Sequence, residues 1–266
     1  MKEKIISIIN QKGGVGKTTT VINLAAGLSL NNKKILVIDL DPQGNATTGL
    51  GLSNVDQTYN SIYQVLSGTK KINEAISKTK FSNLDVITSN VDLSGLEVET
   101  ADDGRRAYIL KEKLTAYLND SGGVYDYVLI DCPPSLSLLT VMALVASHSL
   151  LVPLQTEFFA LEGITQLIKT IDRIKVGLNP ELMIRGILLT MYDKRNKLSG
   201  EVETEARNYF KQKVYKNVVP RNVRLSEAPS HGMPVIFYDK NCPGSKSYIN
   251  FTEEFLAQEE SFETAA

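Results

Sequence analysis

Short apolar runs alternate along the chain with longer stretches in which apolar residues recur every three or four positions. The runs at residues 5–9, 35–38, 84–87, 127–130, 150–154 and 183–189 are rich in Ile, Val and Leu and show little polar alternation. Strands covered on both faces have that pattern. Amphipathic stretches at 18–30, 105–118, 138–145, 161–176 and 201–213 predict helices between them. The alternation predicts an α/β fold, a mostly parallel twisted sheet with helices on both faces. Residues 52–80 read as a loop and short helices on the rim. No Pro- or Gly-rich linker and no internal repeat divides the chain, so residues 1–250 are expected to form a single domain. From Phe251 a last helix is expected to lead into an acidic tail, 251–266. That tail carries Glu253, Glu254, Glu259, Glu260 and Glu263 and no Lys or Arg, and it reads as a solvated end.

Composition narrows the function. A chain of 266 residues with 42% apolar and 22% charged residues can bury one sizeable core. The net charge of −1 excludes a polycation, so any nucleic-acid binding must come from a local basic patch. The two cysteines, Cys132 and Cys242, form no CxxC pair, which argues against a zinc ribbon or a thioredoxin-type site. They read as reduced thiols, and His148 and His231, also isolated, read as structural or surface histidines. The apolar run 5–9 is too short for a signal peptide, and no run approaches a membrane span. A cytoplasmic protein is expected.

The first strand leads into Gln11-Lys12-Gly13-Gly14-Val15-Gly16-Lys17-Thr18-Thr19, which opens the first helix. Glycines at 13, 14 and 16 let successive backbone N–H groups turn inward. Those amides and the positive end of the helix form an anion site. Lys17 can reach the β- and γ-phosphates, the Thr18 hydroxyl can ligate Mg²⁺, and Thr19 is expected to add a phosphate contact. This predicts a P-loop NTPase that binds and hydrolyses ATP. The common motif G-x-x-x-x-G-K-[ST] has Gly where this chain has Gln11. The chain instead places a second cation, Lys12, five residues before Lys17, either near the same phosphates or facing outward.

Two acidic segments complete the candidate site. Strand 35–38 runs into Asp39-Leu40-Asp41-Pro42-Gln43-Gly44-Asn45, a loop at the carboxyl end of a strand, where α/β sheets place ligands. Asp41 is placed to orient or deprotonate the attacking water, and Asp39 to support Mg²⁺ or its waters. Asp is also a common turn former and helix cap, which stands as the alternative for both. Strand 127–130 ends in Asp131-Cys132-Pro133-Pro134, which fits a carboxylate holding the Mg²⁺ shell. Cys132 reads as buried structure and not as a nucleophile.

These segments, together with Val219-Pro220-Arg221-Asn222-Val223-Arg224-Leu225-Ser226-Glu227-Ala228-Pro229-Ser230-His231-Gly232, resemble the ParA/Soj partitioning ATPases, which carry a deviant P-loop. The resemblance runs from about Ile5 to about Tyr248, and the short chromosomal form, without a DNA-reading domain ahead of the P-loop, is expected. It implies that ATP closes a sandwich homodimer and that the dimer binds double-stranded DNA without reading sequence. It further implies that a ParB-type partner stimulates a weak, Mg²⁺-dependent hydrolysis, on the nucleoid and not on a membrane. Lys12 would then reach the partner protomer's nucleotide as an arginine finger does, and Pro220 and Asn222 would contact the adenine. The implied DNA contacts are Arg195 and Arg224. Lys194, Lys197, Arg221 and Lys246 are further basic candidates, suited to phosphate and not to base readout.

Rival readings lack their signatures. A MinD-like membrane-associated ATPase needs a basic amphipathic C-terminal helix, against which the acidic tail argues. A redox ATPase like the nitrogenase iron protein needs cluster-ligating cysteines. A DNA scaffold with nucleotide as a structural ligand gives Lys12 and Asp41 nothing to do.

Overall fold

The computed structural model describes residues 4–52, 60–122 and 124–264. Each expected strand is present within two residues of its expected ends: β1 (Lys4–Ile8), β2 (Ile35–Asp39), β4 (Leu84–Ile87), β5 (Tyr127–Asp131), β6 (Ser149–Gln155) and β7 (Met183–Thr190). One further short strand, β3 (Ser77–Lys78), pairs antiparallel with β4. The sheet order is β3-β4-β2-β5-β1-β6-β7, and every pairing beyond β3 is parallel. Residues 60–80 hold short helices at Ile62–Leu66 and Ile72–Ala75, as expected for a rim. Residues 53–59 of that segment lie outside the described residues.

Six longer helices cover the sheet: α1 (Lys17–Leu30), α2 (Ile109–Ser121), α3 (Leu138–Ala146), α4 (Ala160–Gly177), α5 (Lys197–Phe210) and α6 (Pro243–Thr264). Period-2 alternation divides the strand side chains between the faces. Ile6, Ile8, Ile35 and Val37 pack with α1 and α6, while Leu36, Ile38, Val128 and Ile130 pack with α2 and α3. A third cluster joins β6 and β7 to α4 and α5. Both faces are therefore dry, which is why the runs lacked polar alternation.

Three helix starts differ from the sequence reading: α2 begins at Ile109 and not at 105, behind a separate 3-10 turn at Arg106–Tyr108, and the other two differ for a local reason. Helix α5 begins at Lys197 and not at 201, because the Asn196 side chain accepts a hydrogen bond from the Leu198 N–H at 3.0 Å and caps it. The last helix begins at Pro243 and not at Phe251. Proline is favoured in the first helical turn, and Asp239 Oδ1 accepts from the Asn241 and Cys242 amides just before it. This longer helix crosses α1 at Gly27, where an added Cβ would lie 2.2 Å from Thr252 Oγ1. Only glycine permits that approach. Phe251 and Phe255 are fully buried, and each burial contributes roughly 1.5–3 kcal/mol.

The acidic tail is not a solvated end at Glu259. That carboxylate is buried and ion-paired with Arg185 on β7 and with Lys4 on β1. The Arg185 guanidinium lies 4.1 Å from the Phe255 ring centroid. Glu254 is engaged too, accepting from the Lys216 and Asn217 amides at 2.7 and 2.9 Å. The side chains of Glu260 and Glu263 lie outside the described residues. Truncating one member of a buried ion pair strands the other charge. Glu259→Ala is therefore expected to lower the unfolding free energy by about 3 kcal/mol. Urea unfolding measures it; a loss below about 1 kcal/mol, the range of surface pairs, would show that the pair is not buried in solution.

Candidate active site at the carboxyl edge

Topology brings three chain segments together. Strands β2, β5 and β1 are neighbours, with Asp39, Asp131 and Ile8 in one register row. The segments leaving these strands therefore emerge side by side at the carboxyl edge, where the strand order places a ligand crevice.

The loop after β1 is held from below and behind. Asn10, buried, donates from Nδ2 to the Pro153 carbonyl at 2.8 Å and accepts the Lys12 N–H at 3.0 Å. Thr190, at the end of β7, donates from Oγ1 to the Val15 carbonyl at 2.8 Å. Gly14 and Gly16 have φ of 74° and 92°, the left-handed region. Those values require glycine and turn the loop into the first turn of α1. Gly13 has no such constraint: an added Cβ would meet only Pro134 Cβ, at 3.9 Å. Residues 12–14 are exposed, as a phosphate cradle must be.

Lys17 is buried, with Nζ donating to the Lys12 carbonyl at 3.1 Å. Burial lowers its pKa, opposed by the charges of Asp131, Cys132 and Asp41. Lys12 points elsewhere. Its ammonium is half-exposed and ion-paired with Glu157, just beyond β6.

Asp131 is fully buried, and neither carboxylate oxygen has a hydrogen-bond partner among the described residues. The Thr18 side chain stands beside it and eases its ionisation, yet no well-formed hydrogen bond links the two. Burial first, and the Asp39 charge second, push the Asp131 carboxyl well above the ordinary range. Asp39 is also fully buried but well bonded. Oδ2 accepts from the Thr47 N–H and hydroxyl, both at 2.7 Å, and Oδ1 from the Asp41 N–H at 3.2 Å. Burial raises its carboxyl to about 6 despite those bonds. Asp41 lies next in the same loop, with Oδ1 accepting from the Gln43 N–H at 3.0 Å.

A dry, unpartnered carboxylate is costly, and a cation relieves it. The Asp131 pair of free oxygens, with the Thr18 hydroxyl beside it, therefore fits a Mg²⁺ ion. No group of three or more His, Cys, Asp or Glu side chains could hold a metal among the described residues. Mg²⁺ bound through one or two protein oxygens plus substrate phosphates needs no such cage. Cys132 is buried and its thiol is pushed up by desolvation, so it is no nucleophile.

The remaining candidates sit on a second patch. The segment 214–221 hydrogen-bonds alongside β7, with the Val219 N–H donating to the Leu189 carbonyl, and Pro220 pairs with Tyr192. Asn222 then opens the short helix Val223–Glu227, and its Oδ1 is buried without a partner among the described residues. Arg221 and Lys246 are exposed, as are Lys194 and Lys197. Arg195 is clamped by Asp193 and Arg224 by Glu227. Thr190, Thr47 and Glu157, which position this machinery, were not singled out in the sequence. Thr47 lies inside the aspartate motif, but nothing local marks the other two. Among the described residues, no helix is long and apolar enough to cross a membrane.

Comparison with known proteins agrees with this geometry. A family model described as an AAA domain matches residues 3–184. The chromosome partitioning protein ParA of Caulobacter vibrioides (strain NA1000 / CB15N) is 50% identical over 256 residues, covering 96% of this chain and 95% of that protein. The sporulation initiation inhibitor protein Soj of Bacillus subtilis (strain 168) is 48% identical over 254 residues, covering 96% of this chain and 98% of that protein. Among solved structures, the cobyrinic acid a,c-diamide synthase of Mycobacterium smegmatis with bound ATP analogue and magnesium aligns with a TM-score of 0.85 at 32% identity, covering 97% of this chain and 96% of that one. With the deviant P-loop, the two aspartate segments and relatives of this identity over nearly its whole length, the chain belongs to the ParA/Soj family of chromosome-partitioning ATPases.

Proposed function

We propose that this protein is an ATP-driven partitioning switch, Mg²⁺-dependent and slow on its own. In this reading its ATP-bound homodimer holds double-stranded DNA without sequence preference and releases it on hydrolysis. The observation that carries the nucleotide half is the buried Asp131 carboxylate, unpartnered beside Thr18 and Lys17 at the P-loop. Solved relatives bound to ADP or an ATP analogue with magnesium support the same ligands here.

The residues divide the work as follows. The amides of residues 13–19 and Lys17 bind the phosphates. Thr18 and Asp131 would hold Mg²⁺, which when bound neutralises charge on the phosphates. Asp39 is assigned a supporting role: three hydrogen bonds already fix it, and through the Asp41 amide it sets the loop that carries Asp41. Asp41 orients the attacking water and accepts its proton. The unpartnered Asn222 Oδ1 is an acceptor suited to the adenine amino group, which guanine lacks at that position, with Pro220 packing beside it. Lys12, turned away from Lys17 in the single chain, is assigned to the other protomer's nucleotide. Arg195, Arg224, Arg221 and Lys246 are assigned to DNA phosphates, and hydrolysis is assigned to stimulation by a ParB-type partner, so that capture and release segregate a chromosome or plasmid.

The Asp41→Ala protein tests the cycle as a whole. It should bind ATP normally while turnover falls about 10²–10⁴-fold. It should also hold random-sequence duplex DNA with ATP but not with ADP, and lose it steeply as salt rises. Binding that ignores the nucleotide would remove the switch, and normal hydrolysis would remove Asp41 from the mechanism.

Gly13→Val tests the dimer face. The single chain has room for the side chain next to Pro134 and no left-handed φ at that position. The variant should melt within a few degrees of the parent and fail to dimerise with ATP in analytical ultracentrifugation. An intact ATP-dependent dimer would place the interface away from residues 12–14.

A further inference from the structure

Two of the three arginines assigned to DNA, Arg195 and Arg224, are already engaged within their own chain. Arg195 gives three donors to Asp193: its backbone N–H at 3.0 Å, Nε at 3.1 Å and Nη2 at 2.9 Å. The clamp is short-range and pre-formed, because Asp193 is fixed by a turn in which its carbonyl accepts the Asn196 N–H at 3.0 Å. Its carboxyl is held down to about 2, by Arg195 first and with Arg221 adding to the effect. Arg224 gives Nη1 to Glu227 at 2.7 Å, one turn along the same helix, and its Nε lies 3.5 Å from Asp239. Asp239 has a second task at the start of α6, whereas the Glu227 carboxylate accepts from Arg224.

Both clamps are solvent-exposed: the Arg195 side chain is 91% exposed and Arg224 50%. Exposed pairs of this kind are weak and exchange readily. A clamped arginine has fewer free N–H donors and less net positive charge to offer a phosphate, and the carboxylate beside it repels that phosphate. The clamps flank Pro220, Arg221 and Asn222, because Arg221 N–H donates to the Tyr192 carbonyl beside Asp193.

We propose that Asp193 and Glu227 set the DNA affinity of this surface by holding Arg195 and Arg224 in competition with DNA phosphates. The proposal rests on the DNA reading above and adds two acidic residues to it. Weak binding serves a protein that must let go, and these carboxylates supply a built-in weakening that leaves the arginines in place.

The test uses the full chain with Asp41→Ala, loaded with ATP, and random-sequence duplex DNA in a fluorescence anisotropy titration across a salt series. Asp193→Asn with Glu227→Gln should tighten binding by about 2- to 5-fold per arginine released. The log–log salt slope should steepen by about one per arginine released. The same pair of substitutions in an Arg195→Gln, Arg224→Gln background should leave the affinity unchanged within two-fold. Equal tightening in that background would mean that only general charge has changed, and the proposal would fall. No tightening with the arginines present would also overturn it, and the arginine-free background, expected to bind more weakly, is titrated at the lowest salt of the series so that its affinity can be read. If those arginine substitutions bind as the parent does, the DNA surface itself is misplaced and the proposal falls with it. Unchanged melting temperatures exclude misfolding in every arm.

Discussion

The site depends on one uncomfortable charge. Asp131 ends the central strand β5, is fully buried, and has no hydrogen-bond partner for either oxygen among the described residues. Asp39, its neighbour in register on β2, is just as buried. Two carboxylates this close in a dry setting cannot both ionise easily, so both are pushed toward the protonated form. The sign of the linkage follows. Stability from a raised carboxyl is full below its unfolded pKa of about 4 and is lost as pH rises through the folded value. For Asp39 that window ends near pH 6. At neutral pH the nucleotide-free site is thus strained electrostatically, and a cation arriving with phosphates relieves the strain. Binding and folding are coupled through that charge.

The rest of the fold keeps the charge in place. Asn10 and Thr190 clasp the P-loop from β6 and β7, so the amides are aimed before any ligand arrives. Thr47 holds Asp39 by two hydrogen bonds, which leaves Asp41 projecting from a fixed loop. On the far side of the molecule α6 closes the core over α1. Glu259 ties its last turns to Arg185 and Lys4 on strands β7 and β1, strands that also carry the clasp and the P-loop at their other ends. Preorganisation of this kind is what a phosphoryl-transfer site needs, because positioning and electrostatics supply most of the catalysis.

Much of this was legible in the sequence. Buried parallel strands announce themselves by unbroken Ile, Val and Leu, and Asp131 at a strand end followed by Cys-Pro-Pro needs little context. Gly14 and Gly16 stand where only glycine fits. What sequence could not resolve depended on distant partners. Glu259 reads as part of an acidic end because Lys4 and Arg185 lie far away in the chain. The start of α6 was obscured because Pro243 and Gly244 resemble a loop until the Asp239 cap is seen. The separate tasks of Asp39 and Asp41 depend on Thr47 hydrogen bonds that no spacing rule reveals. The pairing of Lys12 with Glu157 joins residues on β1 and β6 exits, and only the sheet order makes them neighbours.

Thermal unfolding of Asp131→Asn beside the parent protein, at neutral pH without nucleotide, with ATP alone and with ATP plus Mg²⁺, shows whether the buried Asp131 carboxylate carries the metal. The nucleotide-free variant should be at least as stable as the parent, because a buried carboxyl that is costly to ionise has gone. Mg²⁺ should add little to the stabilisation by ATP in the variant while adding clearly in the parent. A variant that is much less stable without nucleotide, yet keeps the full Mg²⁺ increment, would contradict the account and place the metal on other oxygens.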